Sequence, residues 1–349
     1  MRDRRSNSRR RRIQPLVWGA LALALLLSAC GSDSGTDSDE ITIPSDAPPG
    51  KVAGLAGLDG VHSGVAEVNL LVNKLEEEEV ISIRVSGGFE RLGEGSAPQL
   101  LFLEASSNGE WNGRSVDSSA SLNVHPEKAQ ITYGKAAGGE SYETEAATIN
   151  ALMSKFAQAH LSGGRGDLGA CLQAAHGFDF AQLLRDPEIE DRREEPDQTK
   201  VTVVGGDLVI SRLRELLVEL DRDPACGAQL AALGLPPAAA LEAAKVDFKK
   251  GFGGPRLTLA VDRHGVIRKL STHFECARLN GKVFELTLDF GMREVNRAVE
   301  VSAGSGGKPL DSLLRKLGTT EEAALEAQGA EAVTALLEGL AATLTGRPQ

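Results

Sequence analysis

The alternation at residues 283–290 constrains the fold more than any other feature of the chain. Phe284, Leu286, Leu288 and Phe290 fall on one side, and Val283, Glu285, Thr287 and Asp289 on the other. A period of two is the signature of a strand with one face in a core and the other in water. Ile81, Ile83 and Val85 against Ser82, Arg84 and Ser86 repeat the pattern, and Val116, Ser118, Ala120, Leu122 and Val124 repeat it more weakly. Turn residues separate these runs at Gly87-Gly88, Gly93 to Pro98, Asn108-Gly109, Asn112-Gly113 and Gly138-Gly139, so residues 64–145 are expected to form an antiparallel meander.

The middle of the chain has helical spacing in Ala146–His160, in Leu168–Ala175 and in Leu208–Leu220, where Ile210, Leu213, Leu217 and Leu220 recur. Asp186–Asp197 reads as a charged, Pro-containing loop, and Glu76 to Glu79 as a solvated turn at a strand start. Lys200–Val204 is a short strand, and Gly205-Gly206-Asp207 supplies a turn and a helix N-cap. Leu257, Leu259 and Val261 begin a second strand set. After the turn Asp262–Gly265, Val266, Leu270 and Phe274 face in, with Lys269, Ser271, His273 and Glu275 out. On that register Cys276 also points inward, as a small buried hydrophobe. Residues 309–345 read helical, with Leu310, Leu313, Leu314 and Leu317, then Leu336, Leu337 and Leu340. Strands, helices, strands, helices is not the alternation of a βαβ parallel sheet. It implies an α+β architecture: one curved antiparallel sheet with helices on one face.

The first 29 residues are a separate matter. They hold seven arginines against Asp3, then a run from Leu16 to Ala29 that is free of charge and apolar apart from Ser28. That is the basic and apolar layout of an export signal. Fourteen helical residues span about 21 Å, short of the roughly 30 Å of a bilayer core. Leu27-Ser28-Ala29-Cys30-Gly31 resembles the lipobox of bacterial lipoproteins, in which the cysteine carries the lipid. The expectation is therefore a signal over 1–29 and acylation at Cys30, with attachment to the outer face of the cell membrane. Residues 30–54 are acidic and Pro-containing and read as a flexible spacer.

The seven basic residues and one acid of the signal take six positive charges with them, so a formal −11 becomes −17 for the rest. Such a balance argues against nucleic-acid binding and against a polybasic membrane contact. Three cysteines remain, Cys171, Cys226 and Cys276, and an oxidising compartment allows one bridge among three pairings. Cys171–Cys226, between two helical segments, is the expected one. No Cys-x-x-Cys occurs, and the histidines at 62, 125, 160, 176, 264 and 273 show no metal-ligand spacing. The Gly-rich Gly163-Gly164-Arg165-Gly166-Asp167 lacks the ending of a phosphate-binding loop, and no Gly-x-Ser-x-Gly elbow is present. No enzyme, metal or cofactor is expected.

The sequence from about residue 55 to 303 resembles the LolA-like fold, and in particular the LppX and LprG group of envelope lipoproteins. The matching pieces are the lipobox and spacer, the early meander, Ile131-Thr132-Tyr133 followed by Glu140-Ser141-Tyr142-Glu143, a helix, and Lys200–Leu208 leading into another helix. Arg256–Asp262, Val266–Phe274 and Lys282–Phe290 complete the set. The resemblance implies a strongly curved, incompletely closed antiparallel sheet, a half-barrel, with helices on its concave face. A helical C-terminal tail over 304–349 has no counterpart in the group. It further implies a non-enzymatic carrier that binds and moves a lipid or acylated glycan across the envelope. Ile81, Ile83, Leu101, Leu103, Leu286 and Leu288 are the candidate cavity lining. The competing expectation is a scaffolding or sensor lipoprotein with a closed core that engages an envelope protein partner.

Overall fold

The computed structural model describes residues 42–58, 60–75, 77–90, 99–110, 113, 115–134, 139–151, 179–223, 246–248, 254–279, 282–301 and 306–316. Cys30, Cys171, Cys226, the segment Leu168–Ala175 and most of the tail lie outside them.

Six strands form the meander: β1 (Ser63–Lys74), β2 (Glu79–Glu90), β3 (Gln99–Glu110), β4 (Ser115–Val124), β5 (Lys128–Gly134) and β6 (Glu140–Glu145). Residues 146–151 are helical. Then come β7 (Leu184–Glu194), β8 (Lys200–Leu208), β9 (Val246–Phe248), β10 (Arg256–Asp262), β11 (Ile267–Leu279), β12 (Lys282–Arg293) and the two-residue β13 (Lys308–Pro309). The helices are α1 (Pro49–Gly54), α2 (Ile210–Arg222) and α3 (Leu310–Lys316), with a 3-10 turn at Phe180–Leu183. The strands join one sheet in the order β13-β6-β5-β4-β3-β2-β1-β12-β11-β10-β8-β7, with β9 paired to β11. Every pairing is antiparallel except β13 on β6. The sheet is open, with β7 and β13 at its two ends.

One core runs along the inner face of the curved sheet. Ile81 and Ile83 of β2 share one buried cluster with Val204 of β8 and Val52 of α1. Strands β2 and β8 stand five places apart in the sheet. Laid flat that is about 24 Å at roughly 4.8 Å per strand, and the cluster runs the whole way, through Val68 of β1, Phe290 of β12, Ile267 of β11 and Leu259 of β10. The inner face is apolar and the outer face largely polar, apart from a small buried patch of Val201, Val203 and Ala260 on β8 and β10. On the outside Ser271 donates to Asp289 at 2.5 Å, and His273 Nδ1 lies 2.8 Å from Thr287 Oγ1.

Several expectations need correction. Residues 42–54 are packed chain rather than spacer. Ile43, Ala47, Val52 and Ala53 are buried, Ile43 N donates to Arg263 O at 2.7 Å and Gly57 N to Gly265 O at 2.9 Å. Pro48 and Pro49 cap and begin α1, a position that suits proline because the first helical N–H has no partner to lose. Asp186–Asp197 is mostly β7. It is an edge strand with Pro187 and two register shifts, and its charges and irregularity are the usual protection of an open edge. Gly205, Gly206 and Asp207 stay in β8, and Val209 is the residue at the N-cap of α2. A Cβ on Gly206 would sit 2.9 Å from Arg185 O, so the glycine serves a close approach to β7. The register of β11 on β12 shifts between Phe274 and Ala277, and the side chain of Cys276, expected to point inward, lies outside the description. Finally, Glu79 is buried. It accepts from Gly113 N at 2.6 Å and from Lys74 Nζ at 2.6 Å.

Candidate functional site

The inner face is covered at two ends by different parts of the chain. Over β7, β8 and β10 lie the segment from Ile43 to Val61, the 3-10 turn and the start of α2, which fill the main cluster with Leu257, Leu259 and Val261. At the far end Leu310, Leu313 and Leu314 of α3 pack with Ile149 onto Ala129 and Tyr142. That second cluster sits on the same face, because register runs unbroken from Gly87 through Leu103, Leu122 and Ile131 to Tyr142.

Towards the second cover the main cluster continues as an apolar band that includes Ile81 and Ile83, with Leu70, Val72 and Leu288 packed against it. Leu286 faces Val72, which faces Ile81, and Leu288 faces Leu70, which faces Ile83. The structure thus brings four of the predicted lining residues, Ile81, Ile83, Leu286 and Leu288, onto two adjacent rows. Val72 and Leu70 of β1 are the links that the sequence reading left out. The signal was available, since Ala66, Val68, Leu70 and Val72 alternate, but Leu71 interrupts the polar side and blurs the pattern. Ile81 and Ile83 are buried, whereas Leu70, Val72, Leu286 and Leu288 are half-buried. Leu103 lies further along the same face and packs on the main cluster. Leu101 is half-buried on β3, beside the register shift opposite Gly88 and Phe89. Buried Ser107 and Ser118 and buried Thr272 extend the Leu288–Leu70–Ile83 row at either end. Among the described residues Thr272 Oγ1 is a buried oxygen with no hydrogen-bond partner.

Two clefts lie away from this band and are lined by charge. One, of about 670 Å3, sits on the outer face over Gly291 between Glu67, Lys269, Asp289 and Arg293, with the Glu195–Thr199 turn above it. Its acids are held in place. Burial alone raises Glu67, but hydrogen bonds from Asn69 and Arg84, with Arg293 nearby, outweigh that and leave its carboxyl below the ordinary value. Burial likewise opposes ionisation of Asp197, and hydrogen bonds from Thr199 together with Arg268 and Arg297 lower it. The other cleft, of about 460 Å3, opens where Thr42–Ser45 meets β7, β8 and the Asp262–Arg263 turn.

Among the described residues no group of three or more His, Cys, Asp or Glu is placed to hold a metal, and no helix is long and apolar enough to cross a membrane.

No family model matches the chain, and no curated protein matches it. Among solved structures it aligns with a DUF1329 family protein from Desulfovibrio piger at 6% identity, over 73% of this chain and 96% of that one, with a TM-score of 0.20. A β-barrel-like protein of a domain of unknown function from Brucella abortus aligns at 8% identity over 70% and 99%, with a TM-score of 0.19. A porin-like protein from Bacteroides uniformis aligns at 8% over 65% and 96%, with a TM-score of 0.19. No family is shown by these likenesses, and the open, curved sheet rests on the strand pairings themselves.

Proposed function

We propose that this chain is an extracytoplasmic lipoprotein, attached to the membrane through acyl chains on Cys30, that holds the apolar part of a lipid or acylated glycan on the inner face of its open sheet. The observation that carries the reading is the half-buried apolar band between the two covers. A sheet face that packs solidly buries its apolar rows throughout. Here Ile81 and Ile83 are buried, yet their cross-strand neighbours two strands away, Leu286 and Leu288, are only half-buried. Covering four such side chains with a ligand is worth roughly 25 cal/mol per Å2 of apolar area removed from water, which suits an acyl chain and no charged solute. The LolA-like resemblance in sequence pattern points the same way. Binding and release need no covalent chemistry, and the protein acts as a carrier within reach of the membrane.

Uptake of a fluorescent acyl probe by the detergent-free chain beyond Cys30 tests this. The double substitution Leu70→Asn with Leu288→Asn should weaken uptake at least tenfold. Leu71→Asn, which changes an outer-face residue that is 40% exposed, should leave it intact. Absence of saturable uptake, or an equal effect of the two changes, contradicts the proposal.

A further inference from the structure

The chain-wide charge argues against contact with anions, yet the charge is not evenly spread. The 460 Å3 cleft beside Thr42–Ser45 is lined by four cations, Arg192, Arg193, Lys200 and Arg263, against two acids, Glu194 and Asp262. Both of the more constrained members of this set are already neutralised. Asp262 is buried; its Oδ1 accepts from His264 N at 2.8 Å and Val266 N at 3.0 Å, and its Oδ2 from Arg268 Nε at 2.9 Å. Arg193 is paired with Glu195 at 3.0 Å and Asp191 at 3.5 Å. Three exposed cations then face the single acid Glu194.

Register explains why they converge. Lys200 stands opposite Glu194, and Thr202 opposite Arg192, so all four side chains leave the same side of the β7–β8 ribbon. Arg263 comes in from the β10–β11 turn, tied to Ile43 through the 2.7 Å backbone bond. Among the described residues Arg192 and Lys200 make no side-chain hydrogen bond or ion pair, and Arg263 donates only to His264, at 2.8 Å. The hydroxyls of Ser45 and Thr202 add short donors on the cleft wall.

We infer that this cleft binds a compact phosphate-type anion, with Arg192, Lys200 and Arg263 as its donors. Guanidinium groups pair with phosphate oxygens through two parallel hydrogen bonds, and an ammonium adds a point charge. Placement indicates a source. Thr42 is twelve residues from Cys30, a reach of at most about 43 Å. If Cys30 is the anchor, the cleft therefore stays within a few nanometres of phospholipid headgroups. The source of the anion rests on that anchoring reading; the binding does not.

The purified chain beyond Cys30, titrated with inorganic phosphate at low salt, gives the first arm of the test. Saturable binding should weaken about tenfold or more in Arg192→Ala with Arg263→Ala, since each removes a charge-assisted contact. It should tighten in Glu194→Gln, which removes the one acid facing the donors, a gain that loss of structure does not produce. Unchanged binding in the double variant, no gain in Glu194→Gln, or no saturable binding in the wild type overturns the inference. The second arm is co-sedimentation with vesicles of phosphatidylcholine alone or with about 30% phosphatidylglycerol. Binding that needs the anionic lipid and is displaced by phosphate assigns the site to headgroups. Saturable phosphate binding with no vesicle preference assigns it to a soluble phosphorylated solute, leaving the cleft's role intact and the headgroup source overturned.

Discussion

Glu79 shows how much one residue can depart from its neighbours. Four consecutive acids at 76–79 read as a solvated turn, and that is the ordinary fate of such a run. The fourth is instead buried between Lys74 Nζ and Gly113 N, both at 2.6 Å. The cause is the meander itself, which brings the β3–β4 turn against the β1–β2 turn, a contact between residues 34 apart that no local pattern encodes. Glu79→Ala should destabilise by about 2 kcal/mol, because it leaves a backbone donor and a half-buried ammonium short of partners. Urea unfolding measures this, and a loss below about 0.5 kcal/mol speaks against the buried pair. The titrating groups carry a pH dependence of definite sign. Glu67 and Asp197 are lowered in the folded state, so their contribution is complete above the unfolded values of about 4 and is lost as pH falls through the folded ones. Lys74 is raised. Burial alone lowers it, and the hydrogen bonds to Glu79 and Glu77 outweigh that. Its contribution is complete below about pH 10 and is lost as pH rises further. Melting temperature should therefore fall below about pH 4, and Glu67→Gln should flatten that acid limb; an unaltered limb in the variant contradicts the assignment.

At the scale of elements, legibility followed periodicity. β12 alternates without interruption and was readable residue by residue, and so were the turn at Asp262–Gly265 and the inward Leu270 and Phe274. β7 was not, because an edge strand is selected for charge and irregularity, the same cues that mark a loop. The β11 shift after Phe274 was also hidden, since a bulge adds a residue without changing composition. The stretch from Ile43 to Val61 misled in the other direction. Its prolines resemble a linker, yet Val52, Leu55 and Leu58 recur at helical spacing and seal the inner face against β8 and β10. That difference is measurable. In a spacer Val52→Asp has no effect, whereas in this core, at 1% exposure, an unpaired carboxylate costs more than about 3 kcal/mol. Thermal unfolding of Val52→Asp should show a large fall, together with new proteolysis within residues 42–58. A wild-type melting curve returns that segment to the spacer.

For the whole molecule, the open sheet was legible as a class from the order of strands and helices alone. What lies over its inner face was not, since covers come from residues remote in sequence. Ile43–Val61 closes one end and α3 with residues 146–151 the other, so the half-buried band between them emerges only once the sheet is curled. The expected lining residues Ile81, Ile83, Leu286 and Leu288 stand on two rows joined across β1 by Val72 and Leu70. Covers at both ends with apolar side chains between them form the basis of the proposed carrier reading. The most direct measurement is mass spectrometry of organic extracts from the chain beyond Cys30, expressed in the bacterial envelope as a Cys30→Ser protein and purified without detergent. The account predicts an acyl lipid in near-stoichiometric amount, lost in the Leu70→Asn with Leu288→Asn variant. A folded wild-type domain free of lipid, with no uptake when lipid is supplied, contradicts it.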